Sequence, residues 1–209
     1  MGMMVKVKIC GVTSATDALM AATAGADAVG LNFYRASPRF LEPERALAIR
    51  LALPPFVAAV GIFVDEEVER VRELMDYCGL DYAQLHGRET PRKVAQLKQY
   101  RIIKAVRIRG EEDLRELERY RADAFLLDAY VEGAPGWTGM TFNWDLARGA
   151  SNRAKIILAG GLNPDNVAQA VAAGRPYAVD VASGVESEPG KKDRKLVNRF
   201  VRAAKSVEL

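Results

Sequence analysis

The feature that most constrains the fold is an alternation of short β-rich runs with longer amphipathic segments, which continues along the whole chain. Each β-plus-helix unit takes up about 25 residues. Strands that are buried on both faces and joined by helices form a parallel sheet. Eight such units in 209 residues predict an α/β fold in which the sheet closes into a single (β/α)8 TIM barrel. An open, doubly wound sheet is the alternative.

The predicted strands share a high content of apolar and β-branched residues, and each is followed by a segment with helical periodicity. No Pro/Ser-rich linker or low-complexity tract interrupts the series, so we expect one catalytic barrel domain over residues 1–209. The strands are predicted at Val5 to Cys10, Ala28 to Phe33, Val57 to Val64, Tyr82 to His86, Ile102 to Ile108, Ala124 to Asp128, Lys155 to Ala159 and Ala178 to Ala182.

Local signals predict where several helices begin and end. Ser14 precedes an Ala-rich run, and Pro43 suits the first turn of the second helix. Asn163 and Pro164 are expected to open the helix after the seventh strand. Three glycines mark expected helix ends: Gly25, Gly79 and Gly174.

Composition excludes several classes of protein. The net charge of +3 gives no dense positive stripe, so we expect no nucleic-acid partner. No apolar run approaches the roughly 20 residues that span a bilayer, and the start of the chain lacks a signal-peptide core, so we expect no membrane partner. Cys10 and Cys78 are the two cysteines and His86 is the one histidine, which favours a reduced cytoplasmic setting and argues against a structural metal.

The carboxyl ends of the strands are where a barrel places its chemistry. Because side chains alternate along a strand, Lys8 and Cys10 share the inward face of the first strand. Gln84 and His86 share a face of the fourth strand, and Asp128 ends the sixth. These five residues are therefore candidate functional groups.

Two loops predict a phosphate site. Gly160 and Gly161 follow the seventh strand, and glycines let the backbone approach an anion closely. Ser183 and Gly184 follow the eighth strand and offer backbone donors and a hydroxyl beside the same opening. Loops at these two places commonly bind phosphate in barrels, so we expect a small phosphorylated substrate.

Seven segments of the sequence form a specific combination. They are Lys8 to Thr13, Phe33 and Tyr34 with Ser37 to Arg39, Gln84 to Gly87, Leu126 to Asp128, Ala159 to Pro164, Val179 to Val181, and Ser183 to Glu186 with Pro189 to Asp193. Together they resemble the phosphoribosylanthranilate isomerase family of tryptophan biosynthesis, in the family's order and over essentially the whole chain. The resemblance implies an aldose–ketose isomerase that performs the Amadori rearrangement of N-(5-phosphoribosyl)anthranilate to 1-(2-carboxyphenylamino)-1-deoxyribulose 5-phosphate, without a cofactor or a metal.

The resemblance also implies the roles of three residues. Cys10 is expected to be the general base and Asp128 the general acid. A cysteine with pKa near 8.5 needs a cation to favour its thiolate, and Lys8 is the nearest inward cation in sequence. A thiolate and a carboxylate facing across one mouth would each disfavour the other's charge, as the acid requires. Arg39 is expected to bind the anthranilate carboxylate, because its fork suits bidentate contact.

Other polar residues carry weaker expectations. Gln84 and His86 either bind substrate hydroxyls or only order the mouth. Asp180 is expected to support the loop backbone, with substrate contact as the alternative. Lys191 and Lys192 are read as a solvated charge pair outside the site. Cys78, before Gly79, is read as structural.

The loop after the sixth strand departs from the family pattern at two positions. Trp137 stands where a small residue is usual, and Asn143 replaces an expected aspartate. We expect the two changes to affect how this loop closes or which substrates it selects.

Two other functions compete with the isomerase. One is a different phosphosugar barrel, such as a ribulose-phosphate epimerase, which uses histidines that this chain lacks, or a histidine-pathway isomerase, which uses an aspartate where Cys10 stands. The other is a barrel that binds its ligand without turnover. A monomer and a homodimer are equally compatible with the sequence.

Overall fold

The computed structural model describes residues 4–108, 110–129 and 144–209. Eight parallel strands pair in chain order, and the last strand pairs with the first, so the sheet is a closed barrel. This confirms the predicted (β/α)8 barrel and rules out the open sheet. The strands are β1 (Lys6–Ile9), β2 (Ala28–Asn32), β3 (Ala58–Phe63), β4 (Tyr82–Leu85), β5 (Ile102–Ile108), β6 (Ala124–Ala129), β7 (Ile156–Ala159) and β8 (Ala178–Val181).

Helices connect the strands and form the outer layer. A 3-10 helix, Glu111–Arg119, takes the helical position after β5, and a short one, Ser183–Val185, follows β8. The α-helices are α1 (Ala15–Ala24), α2 (Pro43–Ala52), α3 (Val68–Cys78), α4 (Pro91–Ala95), α5 (Trp144–Ser151), α6 (Val167–Gly174) and α7 (Arg194–Lys205). No helix in the described ranges is long and apolar enough to cross a membrane.

The helix signals in the sequence are correct for α1 and α2 but not for α6. Ser14 caps α1 by accepting a hydrogen bond from the Asp17 amide, and Pro43 is the first residue of α2. Helix α6 begins at Val167, three residues after the predicted first helical residue Pro164, because the Asn163 amide first donates to the Asn166 side chain in a turn. Prolines and asparagines favour turns as readily as helix starts, which is why the signal misled.

The three glycines mark helix ends as predicted, but only two of them are left-handed caps. Gly25 and Gly79 cap α1 and α3 in the left-handed conformation, at φ 99° and 61°. Gly174 is the last residue of α6, and Arg175 adopts the left-handed conformation after it. A Cβ at Gly174 would lie 3.3 Å from the Ala147 Cβ, so this glycine serves the contact between α6 and α5.

Alternation along the strands divides the core into two layers. Val7 and Ile9 pack outward with the helices, in the large apolar layer that also contains Cys78. Smaller side chains fill the barrel interior below the mouth, and on β6 Leu126 points into it. By the same alternation, the side chains of Lys8, Asp128 and Asp180 point into the barrel, and they lie above the filled interior, toward the carboxyl ends of the strands. The interior layer consists of Val60, Ile103, Ala105, Ala124, Leu126, Ile157, Ala159 and Ala178.

A small hairpin lies between the barrel and the last helix. Its strands, β9 (Glu186–Glu188) and β10 (Lys191–Lys192), pair antiparallel outside the barrel sheet. Asp193 then caps α7 by accepting hydrogen bonds from two backbone amides of its first turn. The hairpin therefore brings its own side chains back to the mouth, close to where β1 and β8 end.

Candidate active site

Cys10 stands directly after β1, and the neighbouring strand is shaped to hold its side chain. The Cys10 amide donates to the Val181 carbonyl (2.8 Å), which continues the pairing of β1 with β8. A Cβ at Gly30 of β2 would lie 2.9 Å from the Cys10 Sγ. Gly30 is thus required for space, and it fixes where the thiol sits.

Charged groups around the thiol act in opposite directions. Burial is the largest cause that raises the pKa of Cys10, and the Asp180 carboxylate raises it further. The Lys8 and Lys192 ammonium groups lower the pKa. The net result is a pKa above the ordinary value, so the thiol is protonated near neutral pH.

Lys8 and Asp180 form a buried ion pair below Cys10. The Lys8 Nζ lies 2.8 Å from Asp180 Oδ1, and both side chains are less than a tenth exposed. Burial opposes the charge of Lys8, yet Asp180 and Cys10 together keep the pKa of its ammonium above the ordinary value. Lys8 therefore faces Cys10 as the sequence predicted, although its direct partner is Asp180.

Arg39 crosses the backbone next to Cys10 and is held there by Glu186. Its Nε lies 2.8 Å from Glu186 Oε1, and its Nη2 donates to the other carboxylate oxygen, which is a bidentate pair. A Cβ at Gly11, where φ is 69°, would lie 2.2 Å from the Arg39 Cδ. Gly11 thus has two reasons to be glycine: its left-handed backbone, and the side chain that passes over it.

Lys192 is a buried member of the site, which corrects the sequence interpretation. Its side chain is fully buried, and its Nζ donates to Glu186 (2.8 Å) and to the carbonyls of Cys10 and Ala182. Burial lowers the pKa of Lys192 despite the opposing effect of Glu186. Lys191 does behave as predicted, since it pairs with Glu188 at the surface.

A second group of contacts surrounds Asp128. His86 Nε2 lies 3.5 Å from Asp128 Oδ2, and the Gln84 amide nitrogen lies 2.8 Å from His86 Nδ1. With that amide as donor, the imidazole proton is on Nε2, which faces the carboxylate. The Gln84 Oε1 is buried and has no hydrogen-bond partner among the described residues. Gln84, His86 and Asp128 thus form one chain, and His86 and Asp128 line a cavity of about 290 Å³.

The two predicted phosphate loops meet at the mouth. Gly160 and Gly161 both have positive φ, at 86° and 66°, and nothing lies within 4 Å of a Cβ built at Gly161. A Cβ at Gly184 would lie 2.0 Å from the Leu162 carbonyl oxygen, so only glycine permits this approach between the loops. The Asn166 amide group donates to the Gly161 carbonyl (3.0 Å) and secures the first loop.

Apart from the two phosphate loops, the structure brings the predicted residues into two clusters. Cys10, Lys8, Asp180 and Arg39 form one around the end of β1, and the chain from Gln84 to Asp128 forms the other. Lys192 and Glu186 join the first cluster and were missed, although their motif was recognised. The departures at Trp137 and Asn143 lie outside the described residues. The described residues contain no cluster of metal-ligand side chains.

The protein is a (β/α)8 barrel, and its polar and titratable side chains gather at the carboxyl ends of the strands. Enzymes of this fold have their active sites there, so the protein falls in the class of (β/α)8-barrel enzymes. Residues 7–203 match the family model described as N-(5'phosphoribosyl)anthranilate (PRA) isomerase. The N-(5'-phosphoribosyl)anthranilate isomerase of Geobacter sp. (strain M21) is 53% identical over 204 residues, which are 98% of this chain and 100% of that protein. The chain therefore belongs to the N-(5'-phosphoribosyl)anthranilate isomerase family.

Solved structures of similar proteins agree with this assignment. The phosphoribosyl anthranilate isomerase from Thermotoga maritima superposes with a TM-score of 0.92 at 43% identity, over 98% of this chain and 100% of that one. A phosphoribosyl anthranilate isomerase in complex with reduced 1-(o-carboxyphenylamino)-1-deoxyribulose 5-phosphate superposes with a TM-score of 0.88 at 42% identity, with the same coverage. That relative binds a phosphorylated ligand.

Proposed function

We propose that this chain catalyses the isomerisation of N-(5'-phosphoribosyl)anthranilate to 1-(2-carboxyphenylamino)-1-deoxyribulose 5-phosphate in tryptophan biosynthesis. The observation that carries the proposal is the family match over residues 7–203, combined with a cysteine and an aspartate at the ends of β1 and β6. The reaction is redox-neutral overall and each of its bond changes is driven by a proton transfer, so acid–base side chains suffice. The cytoplasmic location and the choice between monomer and homodimer stay predictions.

Asp128 is proposed as the general acid. It protonates the furanose ring oxygen, the C1–O bond breaks, and the amine lone pair forms the C1=N bond of a Schiff base. Support comes from its place at the end of β6, facing the mouth beside His86. With its proton on Nε2, His86 donates toward the carboxylate that remains after transfer, so His86 orients and stabilises Asp128.

Cys10 is proposed as the general base. Its thiolate takes the proton from C2 of the Schiff base, the C–H electrons form C1=C2, and the nitrogen regains its lone pair. The resulting enolamine tautomerises to the ketone. Support comes from Lys8 and Lys192, whose charges oppose the effects of burial and Asp180 on the thiol pKa. The two cations thus limit how far burial and Asp180 raise the pKa, which favours the thiolate that the base requires.

Arg39 is proposed to bind the anthranilate carboxylate. Glu186 occupies its Nε and one side of Nη2, which leaves the Nη1 edge for a second carboxylate. Arg39, Lys192 and Glu186 together carry a net charge of +1, because two cations share one carboxylate. This surplus favours an anionic group beside Cys10.

The loops after β7 and β8 are proposed to bind the substrate phosphate. The positive φ of Gly160 and Gly161 and the open space before Gly161 leave room for a dianion. Ser183 and Gly184 begin a 3-10 turn, and the first amides of a helical turn have no partner within that turn, which suits an anion. Asp180 and Gln84 are proposed to face the substrate from the mouth floor.

The experiment generates the fluorescent substrate in situ from anthranilate and follows its loss on addition of purified protein. We expect rapid loss of fluorescence, formation of the ketose product by chromatography, and competitive inhibition by inorganic phosphate. No loss, with a competent isomerase as positive control, would refute the activity. Phosphate binding without turnover would instead support a barrel that only binds its ligand.

A further inference from the structure

A second buried ion pair lies outside the groups used in the proposed reaction. Lys104 of β5 and Glu89, in the loop after β4, approach to 2.9 Å, and their side chains are 3% and 2% exposed. On β5, Ile103 and Ala105 point into the barrel, so Lys104 points away from the interior, toward the helical layer. Lys104 borders the cavity of His86 and Asp128, but its ammonium and the Glu89 carboxylate are buried, so the pair acts on the cavity through its neighbours.

The pair is bonded to the backbone on both sides of His86. The Lys104 Nζ donates to the carbonyls of Leu85 (3.1 Å) and Gly87 (2.9 Å), the residues before and after His86. Glu89 accepts from the Gly87 amide at 3.0 and 3.1 Å. The His86 backbone is thus held at both of its peptide neighbours by one ion pair.

Neighbouring elements lock the pair in place. Glu89 also accepts from the Asp65 amide (3.0 Å), after β3, and Tyr120 donates its hydroxyl to the Glu89 carbonyl (3.2 Å). A Cβ at Gly87 would lie 2.5 Å from the Asp65 nitrogen, so the turn after His86 is pressed against this neighbour. The turn has little freedom to move once the pair is formed.

The energetics favour a geometric role over a stabilising one. Taking two charges out of water costs several kcal/mol per ion, and apolar replacements of buried pairs are often neutral or stabilising. A pair retained at this cost is expected to give a defined geometry. Its hydrogen bonds converge on the residue that faces Asp128.

We propose that Glu89 and Lys104 are positioning residues that fix the imidazole of His86, with Nε2 directed at Asp128. The inference rests on the proposed function only in giving His86 a part in the acid step. The geometry itself belongs to the free protein and can be measured without substrate.

The test uses the fact that the chain contains one histidine, so ¹⁵N-histidine labelling gives a single imidazole to observe. Nitrogen shifts report which ring nitrogen carries the proton. In the wild type we expect the Nε2–H form to dominate. In the double variant Lys104→Met/Glu89→Gln, which removes both charges and keeps similar volumes, we expect a mixture of the two forms. We also expect kcat to fall about 10- to 100-fold, as displacement of a catalytic group by about 1 Å allows.

The matched control removes an ion pair at the opposite end of the barrel. Asp27 lies 3.0 Å from Lys205, before β2, and neither residue is near the mouth. Asp27→Asn/Lys205→Met should lower stability while leaving the His86 shifts and kcat unchanged. The same shift change in both double variants would show a merely structural effect and overturn the proposal.

A second variant covers failure of the first to fold. Glu89→Gln alone keeps an amide oxygen for the Asp65 and Gly87 amides and removes only the charge that holds Lys104. A partial shift toward the other imidazole form supports the proposal, and unchanged shifts in a folded protein overturn it. A wild type that shows these shifts but no isomerase activity would refute the proposed function and leave the positioning intact.

Discussion

Replacement of Lys192 by Met tests how far a buried cation supports the site. The change removes the donor from three acceptors: Glu186 and the carbonyls of Cys10 and Ala182. Removing one partner of a buried pair costs about 3–5 kcal/mol, and each unsatisfied buried acceptor costs about 1–3 kcal/mol. Because Arg39 still holds Glu186, we expect a loss of about 3–4 kcal/mol in the free energy of unfolding.

The neighbouring lysine gives a matched control. Lys191 pairs with Glu188 at the surface, where both side chains are more than three-fifths exposed. Exposed pairs contribute about 0–1 kcal/mol, so Lys191→Met should barely change the urea midpoint. Domains of ordinary stability, about 5–15 kcal/mol, remain folded after the larger loss, so activity can be measured in both variants.

The same variant has a predicted effect on the pH dependence of activity. Lys192 is one of the cations that lower the pKa of Cys10, so its removal raises that pKa further. Less thiolate is then present at any given pH, and the rising limb of kcat/KM moves to higher pH in Lys192→Met only. Equal urea midpoints for the two lysine variants, together with superimposable pH profiles, would refute the reasoning.

Three further predictions concern space and charge. Gly30→Ala places a Cβ 2.9 Å from the Cys10 Sγ, so the thiol must move away from its position. We expect kcat to fall about 10- to 100-fold with little change in KM, and unchanged kinetics would contradict this. Gly184→Ala places a Cβ 2.0 Å from the Leu162 carbonyl oxygen, so the loop must shift and lose at least one hydrogen bond to the phosphate. The inhibition constant of inorganic phosphate should then rise at least about tenfold, and an equal constant would argue against a phosphate site there. Although burial opposes it, Arg39 and Lys192 hold the pKa of Glu186 below its ordinary value. Its folded-state pKa is depressed, so the stability it contributes is present above about pH 4.3 and is lost as pH falls through the folded value. Glu186→Gln should flatten the acid side of a urea-midpoint profile, and an unaltered slope would show that other carboxylates cause it.

Periodicity was sufficient to predict the barrel and which way the strand-end residues face. The eight strands lie within one residue of the predicted bounds at every end, because burial on both faces leaves a strong apolar signal. The contact of Gln84 with His86 follows from the same alternation. Alternation of this kind predicts contacts only between residues that are two or three positions apart in the sequence.

The missing parts of the site depend on contacts between distant segments. The sequence predicted that Lys191 and Lys192 are both solvated. Nothing within the motif shows that Lys191 is exposed and Lys192 is buried. The Arg39–Glu186 pair joins residues 147 positions apart. Gly30 reads as an ordinary strand glycine until Cys10 is placed against it. Only the closed barrel brings these segments together.

The central claim is that Cys10 and Asp128 carry out the proton transfers. The most direct measurement follows the loss of substrate fluorescence in single turnovers with Cys10→Ala and Asp128→Asn, beside Cys78→Ala as the control cysteine, which is buried in the helical layer. We predict rates about 10²- to 10⁴-fold lower for the first two variants, with circular dichroism unchanged, and a near-normal rate for Cys78→Ala. A folded Cys10→Ala or Asp128→Asn protein that turns over at the wild-type rate would contradict the account.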